Sequence, residues 1–139
     1  MKSSLVIVTV LVSIISCALA SKMVGGWTEM SAENKVKYTK LVQDHYNRNG
    51  NAIHQAKVIE VIEALQQLVN GLNIRFKVKM AHTECKKNDS KKLELCAVNQ
   101  SEIHHCNFEI YRSFTDNTDT INNFKCQKAT STTTSKPSN

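Results

Sequence analysis

The feature that most constrains the fold is a nine-residue stretch that alternates without a break. From Leu72 to Met80, the apolar Leu72, Ile74, Phe76, Val78 and Met80 fall on one side, and Asn73, Arg75, Lys77 and Lys79 on the other. This period of two predicts a strand with one buried and one wet face. Directly before it stands Asn70-Gly71, the strongest short-range hairpin signal, because both residues tolerate the positive φ of a tight turn. Leu68 and Val69 therefore belong near a hairpin tip. There the apolar Val69 meets water, or something that replaces water.

Pattern alone does not decide the partner across that turn. In Ala56 to Val69, the residues Val58, Val61, Ile62, Leu65, Leu68 and Val69 recur at helical spacing, which fits a second helix as well as a β-branched strand. Hairpin logic argues for the strand. Earlier in the chain a helix is expected from the N-cap Ser31 to a stop at Asn49-Gly50, with Tyr38, Leu41, Val42, His45 and Tyr46 on one face. Two later strands are expected at His104 to Arg112 and Ile121 to Gln127. The polar stretch between Met80 and Ile103 reads as an exposed loop carrying two N-glycosylation sequons, at Asn88 and Asn99. Ser21 to Met30 reads as an extended arm.

The chain opens on Lys2 and an apolar run from Leu5 to Ala20, broken only by Thr9, Ser13 and Ser16 and ending in Ala18-Leu19-Ala20. A short apolar core with a small-x-small end predicts a signal peptide over residues 1–20; a membrane anchor wants about 20 apolar residues. Cleavage there takes away Cys17 and Lys2, leaving 119 of 139 residues and a formal charge of +5 in place of +6. Cys85, Cys96, Cys106 and Cys126 remain, an even set that favours disulfides in an exported chain. Three connectivities are open, of which Cys85–Cys96 with Cys106–Cys126 is the most local. Zinc competes for the same thiols, but there is no Cys-x-x-Cys pair, and no metal is expected. The excess positive charge could favour heparin or anionic surfaces. It is scattered, however, without the aromatic-interleaved groove of a nucleic-acid site. Residues 129–139 are rich in Ser and Thr and read as a disordered tail.

Taken together, these residues resemble a secreted type 2 cystatin, a reversible inhibitor of papain-like cysteine peptidases. The likeness runs from about Met23 to Cys126, within a domain spanning residues 21–128. Met23-Val24-Gly25-Gly26 resembles the apolar pair and glycine of the family's arm, and Gln67-Leu68-Val69-Asn70-Gly71 fits its Gln-x-Val-x-Gly hairpin. The spacing from Tyr46-Asn47 to Gly71 and the four late cysteines fit as well. The resemblance implies an α+β cystatin fold: one long helix packed against a roughly five-stranded antiparallel sheet, with Val58 to Val69 as a strand and two sequential disulfides.

It also implies a monomer without cofactor or chemistry of its own, acting as a wedge. Met23 and Val24 would fill the non-primed subsites of a peptidase, and at Gly25 the chain would turn away from the catalytic thiolate. Gln67, Leu68, Val69, Asn70 and Gly71 would form the first inserted hairpin. In the second, the family usually carries Pro-Trp; this chain has Phe114-Thr115, and Phe114 replaces only part of a Trp anchor. The expected partners are cathepsins L and S, with cathepsins B and C held more weakly. Some family members inhibit legumain through a Ser-Asn-Asp loop after the helix. The matching positions here read Gly50-Asn51-Ala52, so Asn51 is the one shared contact. A parasite or blood-feeding arthropod is a compatible source, with host cathepsins as targets.

Two other classes compete. A catalytic reading would recruit His45, His54, His82, His104 and His105, and the segment Cys85 to Asn88 resembles pancreatic-type ribonucleases. The full motif of that family and most of its cysteine framework are absent. A non-inhibitory cystatin-fold binding protein is the nearer alternative, since loss of the second-hairpin Trp is what a repurposed relative would show.

Overall fold

The computed structural model describes residues 25–129. The expected leader over residues 1–20 with Cys17, the arm residues Met23 and Val24, and the expected tail from residue 130 lie outside the described residues. In chain order the elements are β1 (Trp27–Glu29), α1 (Ala32–Asn49), β2 (His54–Leu68), β3 (Leu72–Lys86), a short helical turn at Leu93–Leu95, β4 (Val98–Arg112) and β5 (Asp119–Lys128). The five strands make one antiparallel sheet in sequence order. One face of that sheet carries α1.

The helix begins where the sequence places it. Ser31 is extended, and its hydroxyl accepts from the Asn34 amide at 3.4 Å, satisfying one of the amides that every helix start leaves unpaired. Tyr38 and Val42 are buried, and Leu41 and Tyr46 pack on the same core. The helix stops at Gly50, yet not by a left-handed glycine, for Gly50 has φ −77°. What it requires is space. A Cβ there would stand 2.8 Å from the Tyr46 carbonyl oxygen, which accepts the Gly50 amide and closes the last turn.

The segment that sequence pattern left open is a strand, and its helical look has a structural cause. Val58 lies opposite Met80, Val61 opposite Val78 and Ala64 opposite Phe76, so β2 advances three residues for every two of β3. Each such β-bulge inserts one residue and turns the next apolar side chain back to the core side. Val58, Val61 and Ala64 therefore share the helix-facing side at a spacing of three. β3 keeps the strict alternation, and Ile74, Phe76, Val78 and Met80 are each no more than 2% exposed. Phe76 faces Phe108 and Ile74 faces Ile110 across the β3–β4 ladder. Each of these side chains stabilises the fold by about 1.5–3 kcal/mol through its removal from water.

Because β1 has only three residues, the first half of β2 has no strand neighbour on that side among the described residues, and helix side chains bond to it instead. Asn47 donates to the Ala56 carbonyl and accepts from the Ala56 amide, both at 2.8 Å. Gln43 accepts from the Val58 amide at 2.9 Å. These bonds tie the last turns of α1 to the strand.

The strand ends differ from the sequence reading. β3 continues to Lys86 and β4 begins at Val98, which shortens the expected loop to residues 87–97 and moves Asn99 onto a strand. Asn88 lies in the loop, and both asparagines are exposed. The extension follows from Cys85–Cys96, which joins the end of β3 to the approach of β4. Cys106–Cys126 bridges two residues that face each other on the β4–β5 ladder. The sequential pairing implied by the resemblance is the one formed.

A candidate binding edge of two hairpins and an arm

Register brings the candidate residues to one end of the sheet. Trp27 pairs with Gln67, so Gly25 leaves β1 level with the hairpin between β2 and β3. Leu68 pairs with Leu72, Leu72 with Arg112, and Arg112 with Asp119. The β4–β5 hairpin carrying Phe114 and Thr115 therefore emerges beside the β2–β3 hairpin. Asn51 lies at the opposite end, near the pair His54 and Lys86, about 45 Å away along strands of this length.

The first hairpin turns through two positive-φ residues, Asn70 at 43° and Gly71 at 133°. Leu68 and Val69 are 55% and 48% exposed, which leaves two apolar side chains in water at the tip. Gln67 points away from the helix and donates from Nε2 to the Gly25 carbonyl at 2.7 Å. Gly25 itself has φ 94° and open space around its Cα, so the arm turns at this point through a conformation that suits glycine. Further along the arm, Thr28 Oγ1 donates to the Gln66 carbonyl at 3.3 Å. The Arg75 guanidinium lies 4.3 Å from the Trp27 ring centre, a cation–π contact that covers the outer face of β1.

On the other flank, Tyr111 donates its hydroxyl to the Asn70 carbonyl at 2.6 Å. The Tyr111 ring also occupies the place a Cβ on Gly71 would need. The second hairpin is held by its own groups: Ser113 N donates to Thr118 O at 3.0 Å, and the Asp116 carboxylate accepts from the Thr118 amide and hydroxyl. At its base, Asp119 accepts from Lys37 Nζ at 2.6 Å, from the Tyr38 hydroxyl at 2.9 Å and from Arg112. Partial burial opposes ionisation of Asp119, but these three donors hold its pKa below the ordinary carboxylate value. The Tyr38 hydroxyl, buried and donating to that carboxylate, is pushed up to about 12. Phe114 stands 55% exposed at the tip.

The exposed tips of this surface are apolar: Leu68, Val69 and Phe114. Among the described residues, no three His, Cys, Asp or Glu side chains converge as metal ligands, and no helix is long and apolar enough to cross a membrane. A concavity of about 800 Å³ lies elsewhere, between α1 and the turn at Leu93–Leu95. Three of the histidines have local packing partners. His82 Nδ1 lies 3.0 Å from Glu102 and its Nε2 3.2 Å from the Tyr46 hydroxyl, while His104 stacks on its ring. His45 packs edge-on against Phe124.

Residues 25–114 match the cystatin domain family. The chain belongs to the cystatin family. It is 32% identical over 100 residues to cystatin-2 of Crotalus adamanteus, covering 68% of this chain and 73% of that one. It is 31% identical over 135 residues to cystatin-1 of Chilobrachys guangxiensis, covering 92% and 96%. The solved structure of Al-CPI superposes with a TM-score of 0.66 at 25% identity, covering 76% of this chain and all of the other. Family and fold are consistent with cysteine peptidase inhibition, and members of the family are inhibitors rather than enzymes. Sequence reasoning missed what ties this cystatin's edge together: Tyr111, Asp119 and the Trp27–Arg75 pair. The opposite charges of Arg112 and Asp119 at the two ends of a polar hairpin were the one signal available for any of them.

Proposed function

We propose that this cystatin is a secreted, reversible, tight-binding inhibitor of papain-like cysteine peptidases, with residues 1–20 as its signal peptide. The observation that carries this reading is the convergence of Gly25, the Val69 hairpin and the Phe114 hairpin on one edge, with exposed apolar tips held by side-chain bonds at their bases. Leu68, Val69 and Phe114 enter an active-site cleft, where burial of each apolar side chain favours binding by about 1.5–3 kcal/mol at most. Gln67, Asn70 and Gly71 shape the first hairpin, and Thr115 flanks Phe114 in the second. Met23 and Val24 occupy the non-primed subsites. The chain then turns at Gly25, so no peptide bond reaches the thiolate in an attackable geometry. Inhibition needs occupancy alone.

Cathepsins L and S, with open non-primed subsites, are the preferred targets, and cathepsins B and C bind more weakly. Equilibrium titration of papain and cathepsins L, S, B and C against a fluorogenic substrate tests the reading. No inhibition of any of them at micromolar concentration would leave a non-inhibitory binding protein in its place. Glycans on Asn88 and Asn99 fit this mode, because both positions lie toward the far end of β3 and β4, away from the wedge.

A second activity has a specific observation in its favour. Lys87 donates from Nζ to the Gly50 carbonyl at 2.5 Å and from its amide to the Ile53 carbonyl at 3.0 Å, which fixes both ends of the loop exposing Asn51. A held, exposed asparagine suits an asparagine-specific peptidase such as legumain. Its place at the far end allows papain and legumain to bind together, and a ternary complex in size-exclusion chromatography is the expected result. Unchanged legumain activity at micromolar inhibitor refutes it.

A further inference from the structure

We propose that Tyr111, on β4, is a positioning residue that locks the first inserted hairpin to the strand bearing the second; this rests on the inhibitor reading above. Its side chain lies on the sheet face away from α1, opposite Asn73. Beyond the last ladder pair between these strands, Leu72 with Arg112, β3 and β4 diverge into separate hairpins. Ladder bonds then no longer fix one tip relative to the other. The Tyr111 hydroxyl bridges this gap, donating at 2.6 Å to the Asn70 carbonyl within the turn itself.

The last residue of the Gln-x-Val-x-Gly stretch acquires a second physical reason from the same contact. Gly71 adopts φ 133°, which already disfavours a side chain. In addition, its missing Cβ leaves the space that the Tyr111 ring fills. Gly71 is buried although it sits in a turn, and its neighbours Leu68, Val69 and Asn70 are exposed. The ring therefore closes over the turn backbone and leaves the tip side chains free. At the other end of the stretch, Gln67 holds Gly25. Arm, first hairpin and second hairpin are thus tied in series by two side chains, Gln67 and Tyr111, neither of which needs to contact a peptidase.

An inserted loop held in its bound shape loses less conformational freedom on binding. Removing the tie should therefore raise the dissociation rate and leave the fold intact. Tyr111→Phe is the suitable variant, since it keeps the ring against Gly71 and deletes only the hydroxyl. The expected result is a papain dissociation rate roughly three- to tenfold faster, the worth of one ordinary hydrogen bond, with the thermal midpoint lowered by no more than about 4–8 °C, which is that same bond's worth in a domain of this size. In the uncomplexed protein, amide exchange should quicken at Val69 to Leu72 and stay unchanged in the core of β3. Double-mutant cycles with Val69→Ala should show coupling, because Val69 depends on the turn for its direction.

Equal dissociation rates and equal hairpin exchange in wild type and Tyr111→Phe overturn the proposal. So does exchange that quickens uniformly with a large fall in thermal midpoint, which would make Tyr111 a part of global stability only. Failure of wild type to inhibit papain refutes the inhibitor reading instead, and the exchange comparison on the free proteins still decides whether the tie exists.

Discussion

Asp119→Ala should cost this cystatin about 2–4 kcal/mol at neutral pH, a large effect for one residue at the base of a hairpin. The Tyr38 hydroxyl, on a side chain only 1% exposed, would lose its acceptor at 2.9 Å; stranding a buried donor costs about 1–3 kcal/mol. The Arg112–Asp119 pair is well shielded, at 27% and 13% side-chain exposure, and its loss adds roughly 1 kcal/mol after allowance for solvent. Lys37 is 43% exposed, so its ion pair is discounted to a few tenths despite the short distance. For a domain of about 100 residues the sum lowers the thermal midpoint by at least about 8 °C.

The pH dependence supplies a sharper check. The folded pKa of Asp119 lies below its ordinary value, so the unfolded chain takes up the proton first as pH falls. Its stabilisation is complete above roughly pH 4 and is lost as pH drops through the folded value. Thermal unfolding followed by circular dichroism should show a wide gap between wild type and variant at pH 7 that narrows steadily from pH 4 to pH 2. Asp119→Asn, which still offers Tyr38 an acceptor, should fall between the two. A midpoint change under about 2 °C at pH 7, or a gap of constant width down to pH 2, would refute the reasoning.

Val69→Asp should weaken papain inhibition at least about tenfold, because a carboxylate would enter an apolar cleft unpaired, while unfolding midpoints stay unchanged, the side chain being half exposed; equal inhibition constants would remove the hairpin from the mechanism. Deleting residues 21–25 should cost cathepsin L binding several kcal/mol, roughly two desolvated side chains. Gln67→Ala should weaken the full-length protein but not the truncated one, as its hydrogen bond serves the arm; an equal loss in both would place Gln67 in some other role. Burial lowers the pKa of His104, and repulsion from His82 and Lys128 adds to it against the attraction of Glu102. Protonating His104 is therefore costlier in the fold than in the unfolded chain, and stability falls as pH drops from about 6.5 through its folded value. His104→Gln should flatten the decline in urea midpoint between pH 7.5 and 5, and an unchanged slope would count against it.

How legible these features were depended on whether they lay within one segment. β3 announced itself because a strand with one buried face writes its geometry directly as a period of two. The turn at Asn70-Gly71 was readable for a similar reason, since positive φ restricts residue choice on the spot. β2 was not readable, because its two bulges convert a strand into a spacing of three, and only pairing with β3 distinguishes that from a helix. Strand ends were underestimated where a disulfide, rather than local apolarity, sustains the ladder, as at Cys85–Cys96. The ties at the binding edge were invisible for a stronger reason. Tyr111 reaches Asn70 across 41 residues, and Gln67 reaches Gly25 across 42, distances over which sequence pattern carries no phase.

Those long-range ties bear on how a wedge can work with Phe114-Thr115 in its second hairpin. A smaller anchor gives up contact area, and area alone would predict a weaker inhibitor. Binding free energy, however, is what remains after the cost of ordering the inserted loops. Here both hairpins are ordered before any partner arrives: the first by Asn70, Gly71 and Tyr111, the second by Asp116 above and Asp119 below. The described base of the arm is held at Gly25 by Gln67 and at Trp27 by Arg75. On the proposed reading, preorganisation of the two hairpins and of the turn at Gly25 offsets part of the area lost with the larger aromatic side chain. It also shifts the weight of recognition toward the arm and the Val69 hairpin, which lie on the same side of the edge and share Gln67. On the inhibitor reading proposed above, a peptidase that blocks the arm's subsites would deny the wedge its stronger half, whereas one with open subsites would meet a preshaped surface that only the second hairpin leaves incomplete.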